Sequence, residues 1–441
     1  MSTEFYQSNI TILQNRCPEL ADAIEAHDIS HLNFEVIEHA VATLSINGIQ
    51  LSSAYDPVEE ALAYRSMTSG DTYHIWGFGI GSVPEILLND KSLKKIHIYI
   101  YNLDVIKLVI SLMPKFWFSD KRIELHYIHQ DMPNQNIILK NLFTMDTFII
   151  NSDLQLAKKS SLDLSWIVHR VENRAISLRV NRSHMNPKHM EKLLNIDKEN
   201  YSLLKKLPVI DYLVDAAKNS FKHVLCIGSA PSLDAHIEDV KVLVNQPNRP
   251  LIIAPTTALK ALLKNNIKPD IVAVIEIRTK LENIPFEQMD ENTILVASSR
   301  MNKAVFENWK GKKYYLHPHD ETYKNANKQF PSKYRLNVFG SVIHPITNLA
   351  MLLGAKTIRL IGCDFGFPND RTHASSNNNK KINMNVEVVN GYGELIKSSP
   401  TYRMFCSGME NLIAQRPDID FINMSRMGAK IIGARYEDED K

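Results

Sequence analysis

The stretch Val224-Leu225-Cys226-Ile227-Gly228-Ser229-Ala230-Pro231-Ser232-Leu233-Asp234 decides the fold. Four apolar residues end in a glycine, two small residues follow, and a proline and a serine open a helix. This pattern predicts a strand-to-helix turn at the carboxyl edge of a parallel sheet, where doubly wound folds bind their ligands. Gly228 lets the backbone approach a ligand closely. Pro231 suits a first helical turn because it lacks an N–H. N–H groups exposed at a helix start can hold a phosphate or carboxylate, and Ser232 can add a hydroxyl. A plain β–α connection, with Ser232 as cap and Gly228 as turn residue, accounts for the same residues. The turn is neither a Walker A loop nor G-x-G-x-x-G, so nothing specific to ATP follows.

Outward from this turn, short apolar runs recur at 251–254, 271–275, 294–297, 314–316, 358–361 and 421–422, with helix-length segments between them. That alternation predicts a Rossmann-like α/β domain over 221–441. Runs at 73–76, 96–100, 123–128 and 147–150 repeat the pattern upstream and predict a first such domain over 1–152, led by a helix over 5–26 interrupted near Pro18. Residues 153–220 shift to longer helical periods, including a helix over 203–217, and read as a helical connector. The fold class expected is therefore α/β: two Rossmann-like domains with mostly parallel sheets joined by a helical connector. The polar run 375–381 reads as a loop, either a lid over the site or a plain insert.

Composition narrows the function. The chain has 441 residues, with 51 Lys+Arg against 49 Asp+Glu, a net charge of +2. Such a balance gives little field for steering onto nucleic acid or an anionic membrane. No apolar run reaches the length of an integral membrane span. The N-terminus shows no basic segment followed by an apolar one, so a cytoplasmic protein is expected. Four cysteines lie far apart, and no Cys/His cluster suggests zinc, so no metal site is expected.

Three further segments can carry chemistry. The run 358–361 delivers Gly362, Asp364 and Phe365 to the same edge as Gly228, and Arg371, Thr372 and His373 follow on a polar loop. A guanidinium suits a leaving phosphate. An imidazole suits proton transfer near neutral pH, although a surface loop histidine explains His373 equally. Gly340-Ser341-Val342-Ile343-His344 opens an apolar helix, a second helix start at this edge. Asn423 and Ser425, after the last strand, can bond a base or sugar, or simply shape a terminal turn. In the first domain Gly77-x-Gly79-x-Gly81 resembles a Rossmann glycine turn, but the following strand lacks the ribose-binding acid that would complete the fingerprint.

Together these motifs resemble the Maf (motility accessory factor) family, with its central 6-hydroxymethylpterin diphosphokinase MptE-like domain. The resemblance rests on the 228–234 turn, the run 253–276 ending at Glu276, the 340–344 segment, the 360–375 segment and the closing 423–434 segment, in that order. It implies a glycosyltransferase, similar to bacterial sialyltransferases and inverting. It would move pseudaminic or legionaminic acid from a CMP-sugar to Ser/Thr hydroxyls of a protein, flagellin being the acceptor of that family. The resemblance carries Gly228, Ser229, Pro231 and Ser232 over to the nucleotide-binding turn and Gly362 and Phe365 to the second strand, and Ala230, Glu276, Ser341, Thr372, Asn423 and Ser425 are further candidate nucleotide or substrate contacts. The candidate catalytic residues are His373, Asp364 and Arg371, of which the resemblance itself carries over Asp364. Ser229 stands where sialyltransferases usually place Asn. Their general-base His lies near the start of the last helix, where this chain has 397–402 without a histidine. No metal or other cofactor is required for loss of CMP. Two other readings stay open: an ATP-dependent pterin pyrophosphokinase, which would recruit Mg²⁺ through acids such as Asp364, Asp370 and Glu276, and a non-catalytic nucleotide-sugar-binding or flagellar accessory protein.

Overall fold

The computed structural model describes residues 4–38, 42–66, 70–129, 148–157, 167–168, 170–172, 174, 187–275, 281–374 and 386–439. The chain divides into two compact units, Met1–Ala175 and Ile176–Lys441. Both are α/β and built on parallel sheets, as the alternation predicts. Glu276 and the run 375–381 lie outside the described residues.

The first unit opens with helices Glu4–Arg16 and Pro18–Ala26, broken at Pro18. Strands Phe34–Ile37, Thr43–Ile46 and Ile49–Gln50 then form an antiparallel sheet. The α/β reading of 1–152 expects parallel strands. Asn47 and Gly48 instead take left-handed conformations (φ 51° and 76°), and Asn-Gly is the preferred pair for a tight hairpin turn. The main sheet has four parallel strands in the spatial order Ile123–Tyr127, Lys95–Ile100, Thr72–Trp76 and Phe148–Ile150.

The glycine turn of this unit, Gly77 to Gly81, follows the strand Thr72–Trp76. Its amides already have an anion. The buried Asp153 carboxylate accepts from the Phe78 N–H at 2.7 Å and the Gly79 N–H at 2.6 Å. Asn151 donates to the Gly77 carbonyl at 3.1 Å. Burial lifts the Asp153 carboxyl to about 6 against the opposing pull of those amides. The structural reading of this turn therefore explains its glycines without a cofactor.

The second unit carries helices Pro187–Leu204 and Ile210–Ala217 ahead of its sheet. The helix expected over 203–217 is interrupted at Pro208, which has no N–H to continue it. Val209 instead bridges the edge strand at Tyr315. Eight parallel strands follow in the spatial order Lys313–Tyr315, Ile294–Ala297, Ile271–Val274, Leu251–Pro255, His223–Ile227, Thr357–Ile361, Asp420–Asn423 and Arg435–Tyr436. The last is a two-residue edge strand that the sequence pattern does not announce. Alternate residues of each central strand enter separate cores. Val224, Cys226, Ile253, Ile358 and Leu360 face one. Leu225, Ile227, Ile252, Ala254 and Ile361 face the other. Burial on both faces is why these strands read as unbroken apolar runs. Among the described residues no helix is long and apolar enough to cross a membrane.

Candidate functional site

The eight-stranded sheet fixes where a ligand should lie. From the strand His223–Ile227 the chain winds outward one way through four strands. It then returns to the other side of that strand with Thr357–Ile361 and winds outward the opposite way. The reversal falls between these two strands. Their carboxyl ends part into loops that run to opposite faces, and the crevice between such loops is the usual ligand site of open α/β sheets. Gly228 and Gly362 end the two strands.

The two glycines meet backbone to backbone. A Cβ on Gly228 would lie 2.1 Å from the Gly362 carbonyl oxygen, and Gly362 takes φ +69°. Neither position has room for a side chain. The contact is closed by hydrogen bonds from Gly228 N–H to Ile361 O at 2.7 Å and from Ala230 N–H to Gly362 O at 3.0 Å.

Ser232 and Asp364 stitch the two loops together. The Ser232 N–H donates to Asp364 Oδ2 at 2.9 Å, and Gly362 N–H donates to Ser232 Oγ at 3.1 Å. Both side chains are buried. The Ala230 and Ser232 amides, expected to face a ligand phosphate, are thus used within the protein. Burial pushes the Asp364 carboxyl up to about 6, although its bonds from Ser232 favour the charged form. The Asp364 carbonyl accepts from the Ala429 N–H at 2.7 Å. A Cβ on Gly428 would come within 2.5 Å of Asp364 Cα, so the closing segment packs against this residue as well.

The polar loop returns to the turn. Ala374 N–H donates to Ser229 O at 2.8 Å, which brings Arg371, Thr372 and His373 alongside residues 229–230. Arg371 pairs with Asp234 at 2.8 Å, both partly exposed. Thr372 is buried, whereas His373 is exposed. Ser229 and Ala230 are partly exposed, and Pro231 is buried. Solvent therefore reaches the turn at Ser229, Ala230, Arg371 and His373.

Phe365 is buried with φ 44°. Its carbonyl accepts from Ser398 Oγ at 2.8 Å, and Phe367 N–H donates to Lys397 O at 2.8 Å. These bonds anchor the segment that leads into the helix Pro400–Ala414, capped by Ser399, whose side chain accepts from the Tyr402 N–H. Tyr402 packs at a tilt against Phe367 at 4.9 Å and lies near Phe405 at 6.1 Å. Burial, with the Asp364 charge second, raises its phenol above the usual tyrosine range. Phe405 continues the chain of rings to His344. Ser341 reaches the cluster through that chain, since its carbonyl accepts from the His344 N–H at 3.3 Å. His344 is fully buried, with a backbone carbonyl at each ring nitrogen, at 2.9 and 2.8 Å. It is a packing residue of the helix Ile343–Leu352.

Asn423 and Ser425 sit one strand further out and are buried. Asn423 Oδ1 accepts from Ser425 N–H at 3.2 Å, and Ser425 Oγ accepts from Met427 N–H at 3.2 Å. Both side chains shape their own turn. Burial pushes the Cys226 thiol to about 12 and raises the Cys363 thiol as well, so neither offers a thiolate.

Two residues near the crevice escaped sequence reasoning, Tyr402 and Asp234. The Ser399-Pro400 helix start was a legible signal for the position of Tyr402. No local pattern links either residue to a distant loop. A cavity of about 690 Å³ also opens near Asn266, Lys268, Asp290 and Lys310. Those residues precede the strands Ile271–Val274, Ile294–Ala297 and Lys313–Tyr315, so the cavity lies at the amino edge, opposite the switch point.

Comparison with known proteins adds a match to a family model over part of the chain. A search of curated proteins finds no match. Among solved structures, the MAf glycosyltransferase from Magnetospirillum magneticum AMB-1 aligns over 99% of this chain and 75% of its own, at 17% identity and a TM-score of 0.46. Residues 198–370 match the family model described as 6-hydroxymethylpterin diphosphokinase MptE-like. That span holds the switch-point glycines, Ser232 and Asp364.

Proposed function

We propose that the second unit is a glycosyltransferase that moves a nonulosonic acid, pseudaminic or legionaminic acid, from its CMP-activated form to a Ser/Thr hydroxyl of a protein, with flagellin the candidate acceptor in the cytoplasm. The observation that supports this reading is the switch point itself, where a buried Ser232–Asp364 stitch fixes a turn whose open flank presents Ser229, Arg371 and His373. In the transfer the bond from the sugar to the CMP phosphate oxygen breaks and a bond to the acceptor oxygen forms. CMP departs with its phosphate, so the protein must balance the leaving charge and an oxocarbenium-like centre. Arg371 is suited to the leaving phosphate once it exchanges Asp234 for it. His373 is the proposed base for the acceptor hydroxyl, and its exposure suits an acceptor as large as a protein. Asp364 acts by holding the turn.

The family description of residues 198–370 favours a second reading, pyrophosphoryl transfer to a pterin. That chemistry uses Mg²⁺ held by grouped carboxylates. Here Asp364 is bonded to Ser232, Asp234 to Arg371 and Asp370 to Lys397. These separate engagements support the transferase reading over the kinase.

A thermal-shift screen separates the readings, because a ligand that binds only the folded state raises its stability. CMP is expected to stabilise the protein. Stabilisation by ATP·Mg and not by CMP would replace the transferase with the kinase. No response to CMP, UDP-sugars or ATP·Mg would leave the accessory reading.

A further inference from the structure

The four-stranded sheet of the first unit has two unlike faces. Tyr73, Ile75, Ile96, Ile98, Ile100 and Ile123 enter the core on one. Residues alternate across a strand, so His74, Trp76, His97, Tyr99, Glu124 and His126 share the other. Parallel sheets are ordinarily apolar on both faces. This face carries three imidazoles, a carboxylate and two rings with polar handles.

Three of these groups converge. His97 pairs in register with Glu124, and Tyr99 with His126. His97 Nδ1 lies 3.0 Å from His126 Nε2 and 3.1 Å from Glu124 Oε2. One ligand atom from each residue falls within 4.8 Å of the others. A single proton on His97 Nδ1 can satisfy one of these two acceptors well, but not both. A cation placed among them satisfies all three lone pairs. Neighbouring donors around a tetrahedral zinc with bonds of about 2.0–2.1 Å lie roughly 3.3 Å apart, close to the two spacings that His97 makes here.

We infer that His97, Glu124 and His126 form a binding site for a divalent transition metal of the zinc class. Two imidazoles and a carboxylate are a known three-ligand set for that ion, and three protein ligands leave a position for water or a small ligand. His97 and Glu124 are 20% and 37% exposed, so solvent has access. Supporting groups hold the set in place. His74 stacks on His97 at 4.7 Å with the rings 7° from parallel, and Tyr99 stacks on His126 at 4.8 Å. The Tyr99 hydroxyl and His74 Nδ1 are 3.0 Å apart. Lys95 pairs with Glu124 Oε1, which leaves Oε2 as a single ligand atom. Sequence reasoning expected no metal for want of a Cys/His cluster, and no local spacing shows this set, since a helix-containing crossover separates Glu124 and His126 from His97.

The test uses the full chain, stripped with a chelator and titrated with zinc against a chromogenic competitor. One equivalent is expected to bind, and cobalt substitution is expected to give the visible d–d bands of a four- or five-coordinate ion. H97Q and H126Q should each weaken the tight equivalent by about 100-fold or more, the loss of one of three ligands. E124Q, at the more exposed position, guards against misfolding and should weaken binding while unfolding as the wild type does. Absence of a stoichiometric tight site would overturn the assignment. So would folded E124Q, H97Q and H126Q proteins that bind zinc as the wild type does.

Discussion

Replacing Asp364 by Asn tests the stitch at the switch point through its pH dependence. Asp364 is 2% exposed, and burial lifts its carboxyl from 3.8 to about 6. The folded protein therefore holds this proton more tightly than the unfolded chain. Folding stability is unpenalised below the unfolded pKa. It falls as pH rises through the interval up to about 6, and the whole cost is present above it. A shift of about two units corresponds to about 3 kcal/mol at neutral pH. Asn keeps the shape and an oxygen to accept from the Ser232 N–H, but it does not ionise. The variant should therefore gain on the wild type as pH rises, by about 2 kcal/mol between roughly pH 4.5 and 7. Urea unfolding of both proteins across that range reads the difference, and subtraction cancels every other titrating group. A stability difference that stays flat with pH, or that moves against the variant, would refute the buried, raised carboxyl.

Gly228→Ala forces a methyl onto the Gly362 carbonyl and should cost about 3 kcal/mol through overpacking. That amounts to a fall of about 6–12 °C in the melting temperature of the second unit. Gly393→Ala, where no atom lies within 4 Å of the added Cβ, isolates the cost of its left-handed backbone (φ 86°) and should lose less, about 1–2 kcal/mol. Arg371→Ala removes a partly exposed ion pair worth about 1 kcal/mol or less, so urea unfolding should hardly change while CMP affinity drops. His373→Ala should leave folding and CMP binding intact and lower turnover by about 100-fold or more, the usual contribution of a general base. Full turnover by that variant would remove His373 as the base.

The sequence disclosed the sheet far better than the site. Unbroken apolar runs such as 224–227 and 358–361 are strand signals because both faces of the sheet are covered. The glycines that end them were legible as close-approach positions, although what each approaches is the other. The sequence could not show that the Ser232 hydroxyl turns inward to Gly362, because that bond joins loops brought together only by the strand order. The roles expected of Asn423 and Ser425 depend on groups that their own turn occupies. The antiparallel hairpin around Asn47-Gly48 had a recognisable turn pair and was overlooked in favour of the longer βαβ pattern. The polar sheet face of the first unit shows in the alternation His97-Ile98-Tyr99 and Glu124-Leu125-His126 once the strand register is known.

Asp153 gives the first unit a built-in competitor. Its carboxylate is delivered to the Gly77–Gly81 turn by the fold itself, at an effective concentration far above the millimolar range typical of a flexibly tethered group. A free phosphate at cellular levels would have to displace it from two short amide bonds. A turn that in other α/β proteins recruits a diffusible nucleotide is here saturated from within the same chain. Its glycines act as a clasp between the first strand of the sheet and the last, and the unit needs no metabolite to keep that clasp closed.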